Sequence, residues 1–147
     1  MATAYTADNY SQISFMGAYG NKSIVHGYVT MGTYSQYDTV DLVKIPAGAV
    51  VYDGFLLVAT AVTTATVSIG VRYADGTSTG GTTGTAVMSG TGSIVLTTAL
   101  ANQPMTFEPF TNDADTIVYA IVQSPGFTPG ANTKLHALVG YKSDGTK

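Results

Sequence analysis

The sequence contains no cysteine and no tryptophan among its 147 residues, and only 10% of the residues are charged. Without cysteine the chain can form neither a disulfide framework nor a thiolate metal site, so its stability must come from packing or from assembly. Globular domains usually carry about 25% charged residues. The low charge therefore indicates a chain that is poor in the charged side chains used in catalysis and rich in side chains that pack in a core or an interface.

Basic residues and long apolar runs are also scarce. Six lysines and arginines stand against nine aspartates and glutamates, for a formal net charge of −3. A phosphate backbone is bound by several basic residues in contact, so we expect no nucleic-acid partner. The longest apolar runs, such as FLLVATAV from Phe55, fall far short of the ~20 residues of a membrane-spanning helix. The N-terminus, MATAYTADNYSQ, lacks the basic start and apolar core of a signal peptide, so we expect a soluble chain made in the cytoplasm of its host.

Hydrophobic periodicity predicts β-strands almost throughout the chain. In ATVSIGVRYA (65–74) every second residue up to Tyr73 is apolar, which is the alternation of a half-buried strand. The segments TIVYAIVQ (116–123) and LHALVGYK (135–142) are apolar on both faces. Turns rich in Gly, Pro, Asp and Asn separate about eight such segments, and no window sustains an amphipathic helix. We predict an all-β antiparallel β-sandwich or jelly roll of about eight strands over residues 23–147, preceded by an extended N-terminal arm over residues 1–22.

The N-terminal arm is rich in aromatic side chains but has no strand alternation. A disordered segment would not hold so many of them. The arm therefore either folds back on its own sandwich or lies across a neighbouring subunit, and the second is favoured because Tyr and Met are enriched at interfaces. The predicted contact residues are Tyr5, Asn9, Tyr10, Phe15, Tyr19, Tyr28, Tyr34 and Tyr37.

A second segment without strand pattern, residues 75–92, consists mostly of Gly, Thr and Ser and is interpreted as a surface loop. It contains GTSTG, which matches the G-x-S-x-G motif of hydrolases with Ser78 in the nucleophile position. That motif works on a sharp strand-to-helix turn, and the residues that follow Ser78 cannot form the helix. A phosphate-binding loop also needs a following helix. We interpret the match as chance.

Two histidines and one acidic cluster complete the candidates for chemistry. His26 and His136 both lie mid-strand, and a metal pair or acid–base dyad would require neighbouring strands with both rings on one face. Separate rings, packed or exposed, are the preferred interpretation. In NDAD, Asn112, Asp113 and Asp115 offer fewer oxygens than the about 6–8 of a calcium site. They are interpreted as turn-closing side chains, and we expect no enzyme, no metal and no cofactor.

The segment AVVYDGFLLVATAV, which begins at Ala49, is apolar on both of its predicted faces. One face would carry Val51, Asp53, Phe55, Leu57 and Ala59, and the other Val50, Tyr52, Leu56 and Val58. In a sandwich only one face of each sheet meets the core. The surplus apolar face therefore needs cover from the N-terminal arm or from another subunit.

These segments resemble small virion proteins of tailed bacteriophages. The likeness rests on an IPAG turn that leads into the long apolar strand, then on ATVSIGV, a late D-x-D-x-I strand, a Pro-Gly turn and the closing strand KLHALVGY, over residues 38–141. The resemblance implies a capsid decoration, or cement, protein of jelly-roll type. Such a protein sits on the outer surface of the phage head as a homotrimer, binds the major capsid protein and ties neighbouring capsomers together. The resemblance implies no catalytic residues.

Two other functions remain open. Another phage virion module, such as a tail, baseplate or head-fibre-base protein, would share the strand content and the oligomerisation. Fibres usually show longer repeats or coiled coils, which the sequence lacks. A carbohydrate-binding adhesion module would need exposed aromatic platforms, for which Tyr73 and Phe127 are the candidates, and the absence of tryptophan speaks against it.

Overall fold

The computed structural model describes residues 3–6, 22–62, 65–75, 94–96, 103–105 and 107–143. The strands in these ranges are β1 (Ala4–Thr6), β2 (Lys22–Thr30), β3 (Thr39–Ile45), β4 (Ala49–Val58), β5 (Thr66–Tyr73), β6 (Ile94–Val95), β7 (Gln103–Pro104), β8 (Phe110–Thr111), β9 (Thr116–Val122) and β10 (Lys134–Ser143). The all-β fold is confirmed. Ten strands replace the predicted eight because β1, β7 and β8 have only two or three residues, too few to show an alternation. No helix long and apolar enough to cross a membrane occurs in these ranges.

The strands form two sheets that share one hydrophobic core, as expected for a β-sandwich. The first sheet has the order β1-β3-β9-β5-β6, in which β1 pairs parallel with β3 and the other pairs are antiparallel. The second sheet has the order β2-β10-β4-β7, and β8 pairs with the other end of β4. The long strands β2, β10 and β4 thus form one continuous antiparallel surface, which positions the site described below.

The core between the sheets is built from alternate residues of the long strands. Its largest fully buried side chains are Leu42, Ile45, Leu56, Ile69, Leu96, Leu135 and Tyr141. The alternation predicted for β5 is confirmed, because Val67, Ile69 and Val71 all lie in this core. The prediction that β5 is half-buried is wrong, because the outward residues Ser68 and Gly70 are buried too. The outward residues Ile117 and Tyr119 of β9 are also buried, so both of its predicted apolar faces are covered.

Strand β4 departs from the predicted alternation at Asp53. Its register with β10 shifts there, so that β4 carries one extra residue, a β-bulge. A bulge moves the residues that follow it to the opposite face of the sheet. Val51 and Leu56 are therefore both buried in the core, whereas Phe55 is exposed. The prediction that Val51 and Phe55 share one face is wrong.

Strands β2 and β3 approach each other closely, although they belong to different sheets. A Cβ atom at Gly27 of β2 would overlap the carbonyl oxygen of Leu42 and lie 2.6 Å from Cγ1 of Val43. Every residue other than glycine would therefore push the two strands apart. Gly27 allows the sandwich to close on this side.

Residues 3–6 fold back on their own sandwich. Strand β1 pairs with the edge of the first sheet, and the Thr39 N–H donates to the Thr3 carbonyl at 2.9 Å. This part of the N-terminal arm therefore pairs with its own sandwich, and contact of Tyr5 with a neighbouring subunit stays a prediction. The predicted contacts Asn9, Tyr10, Phe15 and Tyr19, the motif around Ser78 and almost all of the predicted surface loop lie outside the described residues.

Candidate interaction surface

Asn112 closes turns rather than offering ligands to a cation. Its side-chain carbonyl accepts the N–H of Ala49 at 2.8 Å, and its amide donates to the carbonyl oxygens of Pro46 at 2.8 Å and Ala114 at 3.2 Å. These bonds join the turn between β3 and β4 to the turn between β8 and β9. The turn-closing interpretation is confirmed for Asn112. The described ranges contain no group of three or more His, Asp or Glu placed to hold a metal ion.

Two aspartates also close turns through backbone amides. Asp38 accepts the N–H groups of Ser35 at 2.8 Å and Thr3 at 2.6 Å, and these bonds lower the pKa of Asp38 because they stabilise the carboxylate. Asp115 accepts Nζ of Lys44 at 3.0 Å and the N–H of Ala47, and chiefly the lysine lowers the pKa of Asp115. Both carboxylates therefore stabilise turns of the fold.

The outer face of the first sheet carries a packed polar cluster at its centre. Nη2 of Arg72 donates to Oδ2 of Asp41 at 2.6 Å, and the guanidinium lies 5.1 Å over the ring of Tyr119. Burial raises the pKa of Tyr119. Because Tyr119 is only 5% exposed, and Ile117 beside it only 4%, the centre of this face offers little apolar surface to a partner.

The outer face of the second sheet brings the two histidines together. The register pairs His26 with Leu138 and Tyr28 with His136, so all four side chains share one face. Nε2 of His26 and Nδ1 of His136 share a hydrogen bond at 2.9 Å, and the two rings stack with centroids 5.2 Å apart. The ring of Tyr28 lies 6.0 Å and 5.9 Å from them. The interpretation of two separate rings is therefore wrong.

The histidine pair requires at least one neutral ring. A neutral imidazole donates from one nitrogen and accepts at the other, whereas a protonated ring only donates. Two protonated rings would therefore turn two N–H groups toward each other and lose the hydrogen bond. Burial lowers the pKa of His136, and the charges of His26 and Lys134 lower it further. The geometry and the pKa both favour an uncharged His136 near neutral pH.

The surface around the histidines is largely apolar. We name it the β2–β10–β4 face, and its outward residues include Lys22, Ile24, His26, Tyr28, Thr30, Lys134, His136, Leu138, Lys142, Val50, Tyr52, Asp53, Phe55 and Leu57. Of the three large hydrophobic side chains that are exposed in the described ranges, two lie here: Ile24, which is 60% exposed, and Phe55, which is 40% exposed. Exposed apolar patches with a polar rim mark interaction sites.

The charge of this face differs from that of the whole chain. Its described residues include three of the six basic residues, Lys22, Lys134 and Lys142, and one carboxylate, Asp53. Nζ of Lys22 binds Asp53 at 2.8 Å, which raises the pKa of Lys22, and Nζ of Lys134 lies 5.1 Å over the ring of Tyr28. Three lysines less one aspartate leave two excess positive charges among the described residues of the face, on a chain whose net charge is −3.

The predicted contact tyrosines divide between the core and the surface. Tyr34 is buried, and its ring lies 4.8 Å from that of Tyr5 and 5.7 Å from that of Phe127. Tyr37 is 59% exposed, and Tyr28 lies on the β2–β10–β4 face. Because Phe127 is buried, it is not the exposed platform that a carbohydrate-binding module would need. Contact of the tyrosines with a partner stays a prediction.

The exposure of Ile24, Phe55 and the flanking lysines on one face is not predicted by the local sequence pattern. Part of this face can be recognised, since KSIVHGYVT places Lys22, Ile24 and His26 on one side of an alternating strand. What was missing was the pairing of β2 with β10, which joins histidines 110 positions apart in the chain. The bulge in β4, which turns Phe55 outward, also depends on that partner strand.

Comparisons with protein-family models and with curated sequences give no match. Solved structures do match. A chain of the capsid of Ralstonia phage GP4 has a TM-score of 0.75 at 16% identity, with 99% of this chain and 100% of that chain covered. The capsid asymmetric unit of cyanophage Pam1 gives a TM-score of 0.57 at 21% identity, with 90% and 91% covered. The acidic stable capsid structure of Helicobacter pylori bacteriophage KHP30 gives 0.56 at 16% identity, with 90% and 92% covered. These chains share the fold.

Proposed function

We propose that the chain is a structural protein of a bacteriophage virion that binds the outer surface of the head and cements neighbouring capsomers as a homotrimer. The observation that carries this proposal is the likeness to a chain of the Ralstonia phage GP4 capsid, which covers 99% of one chain and 100% of the other. The likeness extends over nearly the full length of both chains.

The proposed partners are the major capsid protein and further copies of the chain. Cementing is a matter of multivalency, because a trimer that engages three sites gains avidity from contacts that are weak one at a time. A contact of standard size buries about 1,600 Å² of total surface. A head under internal pressure is then harder to open, since several subunits must detach together. The low charge of the chain and its exposed apolar face suit such contacts.

A tail, baseplate or head-fibre-base protein is the alternative function. It would share the sandwich and the oligomerisation. The three matching structures described above are capsids, which favours the head.

The test compares virions formed with the gene intact and with the gene deleted. We expect the chain in purified heads at a fixed ratio to the major capsid protein. Heads without it should release their DNA at a lower temperature, as followed with a dye that fluoresces on DNA. Purified chain added back to the deleted heads should restore the release temperature.

The outcomes separate the candidates. A chain found in tails rather than heads would support the alternative function. A chain absent from virions, or deleted heads that open at the same temperature as intact ones, would contradict cementing. Bovine serum albumin added to deleted heads serves as the protein control for the restoration.

A further inference from the structure

We propose that the β2–β10–β4 face is the docking surface of this chain, and that its occupant is an acidic protein surface on the phage head. The inference rests on the proposed function and names the partner-facing side of the fold. It starts from the juxtaposition of two exposed hydrophobic side chains, a stacked histidine pair and three lysines on one side of a single sheet.

The centre of the face has the composition of an interface core. Ile24 and Phe55 are exposed, while Leu57, Leu138 and Tyr28 between them are half-buried. Interface cores are apolar and aromatic and are depleted in carboxylates, and their rims are polar. The outward centre of the first sheet is already buried at Ile117 and Tyr119, so less apolar surface is exposed there for a partner to bury. A partner would therefore bury more apolar surface on the second sheet.

The positive charge of the β2–β10–β4 face indicates the charge of its partner. Lys134 and Lys142 lie near opposite ends of β10, on the same face as the histidines. With Lys22 they leave two excess positive charges on this face, and the rest of the chain therefore carries the acidic surplus. Electrostatic complementarity then favours an acidic partner surface. Two excess charges around an apolar centre are fewer than the several phosphate contacts of a nucleic-acid site.

The same charges argue against a two-fold contact between two copies through this face. Such a contact places the same patch on both sides. Two copies meeting through the described residues of this face would bring two sets of Lys22, Lys134 and Lys142 together against two copies of Asp53. Like charges across an interface disfavour association. A three-fold contact joins two different patches, so the molar mass of Phe55→Ser tests whether a neighbouring copy covers this face in the trimer.

The experiment measures sedimentation of the labelled chain with gene-deleted heads at low and high salt. Lys134→Gln/Lys142→Gln and Phe55→Ser test the rim and the centre of the face. Lys44→Gln is the single-charge control, because Lys44 is an exposed lysine of the first sheet, where it pairs with Asp115. We expect the double variant and Phe55→Ser each to weaken binding about tenfold, and Lys44→Gln to change it less than about twofold. Salt should weaken the wild-type chain more than the double variant.

Each outcome of the sedimentation experiment either supports or contradicts the proposed docking surface. If the wild-type chain binds heads and the face variants bind equally well, the face is the wrong surface, although the proposed function stands. If the wild-type chain does not bind, both proposals fail. If Phe55→Ser lowers the molar mass of the chain by light scattering, a second copy occupies the face and the inference is overturned. Unchanged thermal unfolding midpoints would show that the variants are folded.

Discussion

At the scale of single residues, His136 makes stability depend on pH near neutrality. The pKa of His136 in the folded chain lies below its ordinary value of 6.5, first because of burial and then because of the nearby positive charges. Below that pH the unfolded chain binds the proton more readily than the folded chain. The contribution of His136 to stability is therefore fully present above about pH 6.5 and is lost as the pH falls through the lowered pKa.

The variant His136→Gln should reduce this pH dependence. We expect the free energy of unfolding of the wild-type chain to fall between about pH 7.5 and about pH 5, and the variant to show a smaller fall. Chemical denaturation at several pH values measures both. Asp38 and Asp115 have lowered pKa values and lose their contributions only at more acid pH, below 3.8, so they do not interfere. An equal fall in both proteins would contradict the role given to His136.

The ion pair of Arg72 and Asp41 makes a second prediction at this scale. Its side chains are only 29% and 12% exposed, so Arg72→Met would leave a carboxylate that is poorly solvated and has lost its partner. We expect a loss of about 2 kcal/mol in the free energy of unfolding. Lys22→Met is the matched control, because the Lys22–Asp53 pair is 51% and 35% exposed, so that water screens it and its loss should cost clearly less. Equal losses measured by urea denaturation would count against the argument.

At the scale of elements, Asn112 holds two turns together. Asn112→Ala removes the bonds to Ala49 and Pro46 and leaves their backbone groups without these partners in a buried place. We expect a loss of about 2–3 kcal/mol in the free energy of unfolding. Asp113→Ala, at the exposed neighbouring position, should cost less than about 0.5 kcal/mol. A loss below about 1 kcal/mol for Asn112→Ala would mean that the turns do not depend on it.

The elements also show what the sequence could and could not predict. The alternation of β5 and the two apolar faces of β9 follow from local pattern, and the structure confirms both. The IPAG sequence predicts a turn after Pro46, and Gly48 has a positive φ of 77° there. The bulge between Val51 and Asp53 is not predicted by the apolar pattern of β4, although Gly54 beside it is the kind of interior glycine that often marks a bulge.

The sequence predicts some residues of the candidate site but not their arrangement across the sheet. The outward stripe of β2, from Lys22 through His26 to Tyr28, can be read from a single strand. The site itself needs three strands in register, and the pairing that joins His26 to His136 spans 110 positions. Long-range register is set by the whole sheet rather than by any local pattern. The sequence therefore pointed to an interface through composition, without placing it on the second sheet.

At the scale of the whole molecule, the two sheets expose different surfaces. The centre of the first sheet is closed by Ile117, Tyr119 and the Asp41–Arg72 pair, and the second sheet leaves Ile24 and Phe55 exposed. A sandwich that exposes large apolar side chains on the outer face of one sheet suits a subunit that binds a larger surface through that sheet. The proposed homotrimer on a phage head would need one set of contacts between its own copies and another with the head.

The last prediction separates these two sets of contacts. Light scattering should give a trimer of about 45 kDa, three times the chain mass of 15.2 kDa. The double variant Tyr10→Ser/Tyr19→Ser should shift the mass toward that of a single chain, since these tyrosines are predicted contacts with a neighbouring subunit. Phe55→Ser should leave the trimer intact, because the β2–β10–β4 face is proposed to bind the head and not a neighbouring copy. A monomeric wild-type chain would remove the avidity on which cementing depends, so each copy would then have to bind the head through a single contact.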